Sequence, residues 1–138
     1  MMFDPITKNL SRWKAMRKER TVKVRIGGKL YIIVSDDDYL LYTIVSDDDN
    51  LKHIGGDFEP LIVSLFQCLV NDGDIVLDVG ANIGCTAILF GDLAQEVHAF
   101  EPSPTTFEFL QKNIQRSGHK NIVAHKFGLG AEPGEFTL

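Results

Sequence analysis

The stretch that decides the fold is Leu77-Asp78-Val79-Gly80-Ala81-Asn82-Ile83-Gly84, "LDVGANIG". A short apolar strand, Ile75 to Val79, runs into a turn at Gly80 to Gly84, and a helix follows from Cys85 to about Ala94. Such a turn sets backbone N–H groups at a helix N-terminus, where they attract polar or anionic ligand groups. Glycine supplies positive φ there and lets a ligand approach the main chain closely. The register of the glycines then selects among ligands. A dinucleotide fingerprint needs glycine at positions 1, 3 and 6. Counted from Gly80, position 3 is Asn82 and position 6 is Cys85, so two of the three are missing.

A second register fits better. The S-adenosylmethionine pattern, acid-x-Gly-x-Gly-x-Gly, is met by Asp78, Gly80 and Gly84, with Asn82 standing for the middle glycine. Asparagine is the side-chain-bearing residue that best tolerates the left-handed region, so the turn stays feasible.

Downstream, strands and helices continue to alternate. Val97 to Glu101 reads as a strand, and Ser103-Pro104 starts a helix with Phe107, Leu110 and Ile114 as its stripe and Gly118 just past its end. Ile122 to Phe127 is a third strand, Gly128 to Gly134 a turn-rich loop, and Phe136-Thr137-Leu138 the start of a further strand. The βαβαβ order implies an α/β fold with a parallel sheet and right-handed crossovers. In such a unit a carboxylate at the end of the second strand, here Glu101, faces the ribose and accepts from its hydroxyls. It would repel a 2′-phosphate, which disfavours NADP. Asp78, at the end of the first strand, is placed to face the cofactor's ammonium. Taken singly, Asp78 also reads as a residue satisfying turn amides and Glu101 as a solvated strand end. Together with the glycine register they point to cofactor binding.

Upstream, Asp57 reads as the cap of a helix whose stripe is Phe58, Leu61, Ile62, Leu65, Phe66 and Leu69, with Cys68 as packing beside it. Asn71-Asp72-Gly73-Asp74 is a turn. "TVKVRIGGKLYIIVS" reads as a β-hairpin closed by Gly27-Gly28. Tyr31 to Asp38 then echoes Tyr42 to Asp49 at seven of eight positions. Calcium loops alternate their carboxylates around a glycine turn. Three adjacent aspartates do not, so two acidic turns are favoured over a metal site, and no metal is expected. Asp4-Pro5 starts an amphipathic helix with Ile6, Leu10 and Trp13 on one face, ending near Arg20.

"GDIVLDVGANIGCTAILF", "VHAFEPSP", "LQKNI" and "GLGAEPGEF" together closely resemble the FkbM-type family of S-adenosylmethionine-dependent methyltransferases, over about residues 57 to 138. The resemblance implies a class I Rossmann-like methyltransferase domain at 57–138, preceded by a helix and hairpin extension at 1–56. It implies methyl transfer to a hydroxyl oxygen of a sugar, lipid or secondary metabolite. By motif position, Asp78, Gly80, Ala81, Asn82 and Gly84 would line the methionine side. Glu101 would bind ribose, and Pro102, Ser103, Gly128 and Leu129 would lie near adenine. The full domain of this type has a seven-stranded sheet, whereas this chain reaches only a fourth strand. The expectation is therefore the N-terminal, cofactor-binding portion of the domain, as a fragment or as half of an assembly. An exposed sheet edge would favour homo-oligomers. The rival readings are a non-catalytic nucleotide- or partner-binding module and then an NAD-dependent oxidoreductase. An RNA methyltransferase using the basic arm stands behind them.

The whole chain fits this frame. Its 138 residues suffice for one domain with a core. The net charge of -5 divides into +7 over residues 1–29 and -12 over the rest. A solvated or internally docked basic face is favoured over a nucleic-acid partner. No apolar run reaches membrane-spanning length, no secretory leader is apparent, and two cysteines make no disulfide framework. A cytoplasmic location follows as the expectation. No catalytic base stands out. His53, His98, His119 and His125 fall in no ligand-spaced cluster, and Cys85 reads as packing although a helix N-terminus favours its thiolate.

Overall fold

A computed structural model of the chain describes residues 18–36 and 56–135. The expected N-terminal helix, the second acidic echo, His53 and the strand at 136–138 lie outside the described residues.

The hairpin is β1 (Arg20–Ile26) and β2 (Lys29–Ser35), antiparallel, with Ile26 opposite Lys29. Gly27 and Gly28 both take positive φ, 57° and 88°, as a two-residue turn matched to strand twist requires. Val24, Ile26, Ile33 and Val34 are buried. Residues 56–58 run beside β1: the Arg25 N–H donates to the Gly56 carbonyl and the Phe58 N–H to the Arg25 carbonyl.

That pairing corrects the start of the next helix. α1 spans Pro60–Leu69, with Glu59 rather than Asp57 at its N-cap position. The bonds to Arg25 hold 56–58 extended, Glu59 turns the chain at φ 32°, and Pro60 supplies the fixed φ of a first helical residue. The expected stripe is corrected as well. α1 turns Val63 and Phe66 inward, with Phe66 packed edge-on against Phe90, while Leu61, Leu65, Leu69 and Cys68 are exposed.

β3 (Ile75–Val79), α2 (Cys85–Leu93), β4 (Glu96–Phe100), α3 (Pro104–Ser117) and β5 (Ile122–His125) then alternate. The sheet is parallel in the order β3-β4-β5. β5 ends two residues earlier than the sequence suggests. One sheet face, Val97, Ala99 and Ile122, packs with Ala87, Phe90, Leu110 and Ile114 from α2 and α3. A second core joins the hairpin to Ile83, Cys85, Ile88, Leu89 and Phe109. On the other sheet face Ile75, Leu77, Val79 and Val123 are exposed. Among the described residues no helix is long and apolar enough to cross a membrane.

Candidate cofactor site at the carboxyl ends of the parallel strands

The glycine turn is built as its residue types dictate. Gly80 has φ 81°, Asn82 φ 51° and Gly84 φ 98°, so all three stand in the left-handed region. Gly84 is the N-cap of α2, and a Cβ there would lie 2.8 Å from Leu110 Cδ1. Its lack of a side chain therefore serves the turn and the packing of α2 on α3 at once. A Cβ at Gly80 would meet no atom within 4 Å, so its backbone faces open space.

The turn is tied to the neighbouring strand end. The Gly80 and Ala81 N–H groups both donate to the Phe100 carbonyl at 3.0 Å. Glu101 is buried, and its two carboxylate oxygens accept from the Asn82 N–H (3.0 Å) and the Ser103 N–H (2.9 Å). A carboxylate offers about four acceptor sites, so two bonds leave it capacity for further donors. Ser103 is the N-cap of α3, with Pro104 the first helical residue and Gly118 closing the far end at φ 82°.

Asp78 is half-buried at the end of β3. Thr86 Oγ1 donates to its Oδ2 at 2.7 Å. Burial raises the Asp78 pKa above the ordinary carboxylate value, and the Thr86 hydrogen bond only partly opposes that rise. Cys85 is buried and its thiol is pushed up to about 12, by burial first and by the Glu59 charge second. Desolvation thus overrides the helix N-terminus, and Cys85 is a packing residue rather than a thiolate.

Pro102, Gly128 and Leu129 come together in one hollow of about 660 Å³, completed by Phe127 and residues 130–134. The glycine turn does not line this hollow. The bridge between the two groups of residues is Glu101-Pro102-Ser103, which touches the turn through Glu101 and the hollow through Pro102.

The histidines fall elsewhere. His98 and His125 share a hydrogen bond of 2.9 Å on the open sheet face, with Glu96 3.3 Å from His98 Nε2. His119 contacts Asp92 and Ser117 away from the turn. The residue to which sequence reading gave no role is Asn113, within "LQKNI" and buried in α3. Its Nδ2 donates to the carbonyl of Ile83 at 2.8 Å, inside the turn itself. A single polar residue near a helix stripe gives no spacing signal by which to find it.

No family model matches the chain. Several curated relatives do, among them the following three. A protein-L-isoaspartate O-methyltransferase of Rhizobium meliloti is 33% identical over 80 residues, covering 56% of this chain and 39% of that protein. The hexuronic acid methyltransferase AglP of Haloferax volcanii is 35% identical over 80 residues, 58% of this chain and 33% of that protein. The 31-O-demethyl-FK506 methyltransferase FkbM of Streptomyces tacrolimicus is 51% identical over 47 residues, 32% of this chain and 18% of that protein. The chain thus spans less than two fifths of the length of each. Among solved structures, the tRNA m1G37 methyltransferase of M. jannaschii aligns with a TM-score of 0.53 at 19% identity, covering 81% of this chain and 31% of that one. Trm5b of Pyrococcus abyssi aligns at 0.52 and 20%, covering 75% and 27%. The α/β fold with its parallel sheet is therefore that of class I methyltransferases, and the three relatives named above are methyltransferases.

Proposed function

We propose that the chain binds S-adenosylmethionine at the glycine turn and serves methyl transfer to a hydroxyl oxygen of a small sugar, lipid or secondary metabolite. The observation that carries this reading is the convergence of Asp78, the left-handed Gly80–Gly84 turn and Glu101 at adjacent strand ends. The residues fit the cofactor. Gly80 leaves open space beside its backbone, Glu101 keeps acceptor capacity for ribose hydroxyls, and Asp78 offers a carboxylate for an ammonium. Pro102, Gly128 and Leu129, which line the hollow, would form the adenine side together with Ser103, which donates its N–H to Glu101 beside it. When bound, the cofactor supplies an electrophilic methyl group. This chain's residues hold and orient it, which is where an in-line displacement gains most of its rate. Transfer to oxygen is supported by the relative named as an O-methyltransferase, and a hydroxyl acceptor by the 31-O-demethyl-FK506 methyltransferase, whose named substrate position is a demethylated oxygen.

Titration calorimetry with S-adenosylhomocysteine tests the site. Saturable binding is expected, weakened at least tenfold by Glu101→Ala in protein whose circular dichroism is unchanged. No binding to the unaltered chain, or equal binding by the variant, would refute the assignment.

A further inference from the structure

Asn113 does more than fill a helix face. It is 1% exposed, and its side-chain amide makes three hydrogen bonds to main chain. Oδ1 accepts from the Val34 N–H at 2.8 Å, and Nδ2 donates to the Val34 carbonyl at 3.0 Å and to the Ile83 carbonyl at 2.8 Å. Val34 lies opposite Thr21 in the hairpin but turns both its polar groups away from β1, toward α3. One side chain therefore satisfies a strand edge of the hairpin and a carbonyl of the glycine turn. Buried main-chain groups of this kind require partners, so neither attachment is idle.

The turn is held by two side chains at the peptides on either side of the Asn82–Ile83 bond. Glu101 takes the N–H of Asn82, and Asn113 takes the carbonyl of Ile83. Asn82 occupies its left-handed conformation between those anchors. The hairpin stands behind the second one. Ile83 and Cys85 share a single apolar cluster with Val24, Ile26, Ile33 and Val34. Hairpin docking thus fixes Asn113, and Asn113 fixes the turn.

We infer that Asn113 is a positioning residue for the cofactor turn, and that β1–β2 is an integral support of the site whose docking is coupled to cofactor binding. This rests on the reading of the turn as the cofactor site. Coupling is reciprocal: if the docked hairpin favours the ligand, the ligand must favour the docked hairpin. A residue that merely fills the core would lower thermal stability without obeying that relation.

Two measurements on the full chain decide it: S-adenosylhomocysteine affinity by calorimetry, and amide exchange at Val34 with and without that ligand. In the unaltered protein, saturating ligand should slow exchange at Val34 about tenfold, a typical size for coupling between sites. Asn113→Leu should weaken binding about tenfold and abolish the ligand-dependent protection of the hairpin. If Asn113→Leu does not fold, Val34→Pro serves in its place. It replaces the N–H from which Asn113 Oδ1 accepts with a ring methylene, on the side of β2 that faces α3 rather than β1, and it should weaken binding in the same direction. Ligand binding with unchanged exchange at Val34, or undiminished affinity in the folded variants, would overturn the coupling while leaving the cofactor site standing. Absence of binding to the unaltered chain would remove both.

Discussion

Asp78 shows how a single side chain can be set against the stability of its own fold. Its carboxylate is half-buried beside Thr86, and burial raises its pKa despite that hydrogen bond. A raised pKa means the native state binds protons more tightly than the unfolded chain. The contribution to stability is then full below the unfolded carboxylate value and is lost as pH rises through the folded one. At neutral pH the ionised Asp78 is therefore a cost, carried where a ligand's positive charge would offset it. Asp78→Asn should make the protein more stable at pH 7, by about 0.5–2 kcal/mol if it follows other relieved sites. It should also remove the matching part of the decline between acid and neutral pH. Urea melts across pH 3–7 on both proteins check this, and an unchanged pH profile would contradict it. The same substitution should weaken ligand binding, which separates it from a general stabiliser. Asn82 is the opposite kind of residue. Its φ of 51° was legible in the sequence, because asparagine at a glycine position signals a left-handed turn. What Asp78 touches was not legible, since its partner Thr86 lies eight residues on and nothing in the spacing marks the pair.

Three element boundaries stand where the sequence puts them. The Gly27-Gly28 turn, the Ser103-Pro104 start and the Gly118 stop are local chemistry, complete within a few residues. α1 is different. Its apolar positions form a convincing stripe, but periodicity does not say which side has a partner. Packing of Phe66 on Phe90 turned Leu61, Leu65 and Leu69 outward. Its start was set by long-range bonds from Arg25 to residues 56 and 58, which no local pattern contains. α2 carries the sharpest packing constraint. A Cβ at Gly91 would lie 2.7 Å from Ile122 Cδ1 and 2.9 Å from His119 Cδ2. Ile122 has a flexible end, but the His119 ring is held between Ser117 and Asp92. Asp92 in turn accepts from Lys29 and Tyr31 of the hairpin. Burial alone would raise the Asp92 carboxyl, yet the three donors together hold it below its usual value, so this clasp is ionised at neutral pH. Gly91→Val therefore meets a ring that cannot easily yield. Overpacking of this kind costs about 1–3 kcal/mol, more than helix propensity returns. A thermal melt should show a lower midpoint, and Gly91→Ala, which adds only the Cβ, should lower it less than Gly91→Val. A midpoint at or above that of the unaltered protein would show that α2 has slack at this position.

At the scale of the molecule the two faces of the parallel sheet are unequal. One is covered by α2 and α3 and forms a dry core around Val97, Ala99 and Leu110. On the other, Ile75, Leu77 and Val79 of β3 are each about 60% exposed and stand in one row, with Val123 two strands away. The alternation of β3 made this visible in part: Val76 and Asp78 turn one way and three large aliphatic residues the other. Strands of a parallel sheet are ordinarily buried on both faces, which is why a run such as "IVLDV" reads as a core strand without saying what would cover its second side. The first side was legible, because "CTAILF" and the Phe107, Leu110, Ile114 stripe supply its cover within the same stretch. A contiguous aliphatic row on β3, an edge strand among the described residues, is the kind of surface that draws chains together. Association driven this way should strengthen with protein concentration, persist in salt, and depend on the middle of the row. Leu77→Lys places a charge between Ile75 and Val79 without touching the glycine turn or the covered core. In sedimentation velocity the unaltered chain should shift to larger species between about 5 and 200 μM, and the Leu77→Lys protein should not. Lys112, which pairs with Glu19 at the remote side of α3, offers the control: Lys112→Ala should leave the association unchanged, because it alters charge without altering the aliphatic row. A monomeric unaltered chain across that range, or equal association by the Leu77→Lys protein, would show that the exposed face of the sheet is not what brings the molecules together.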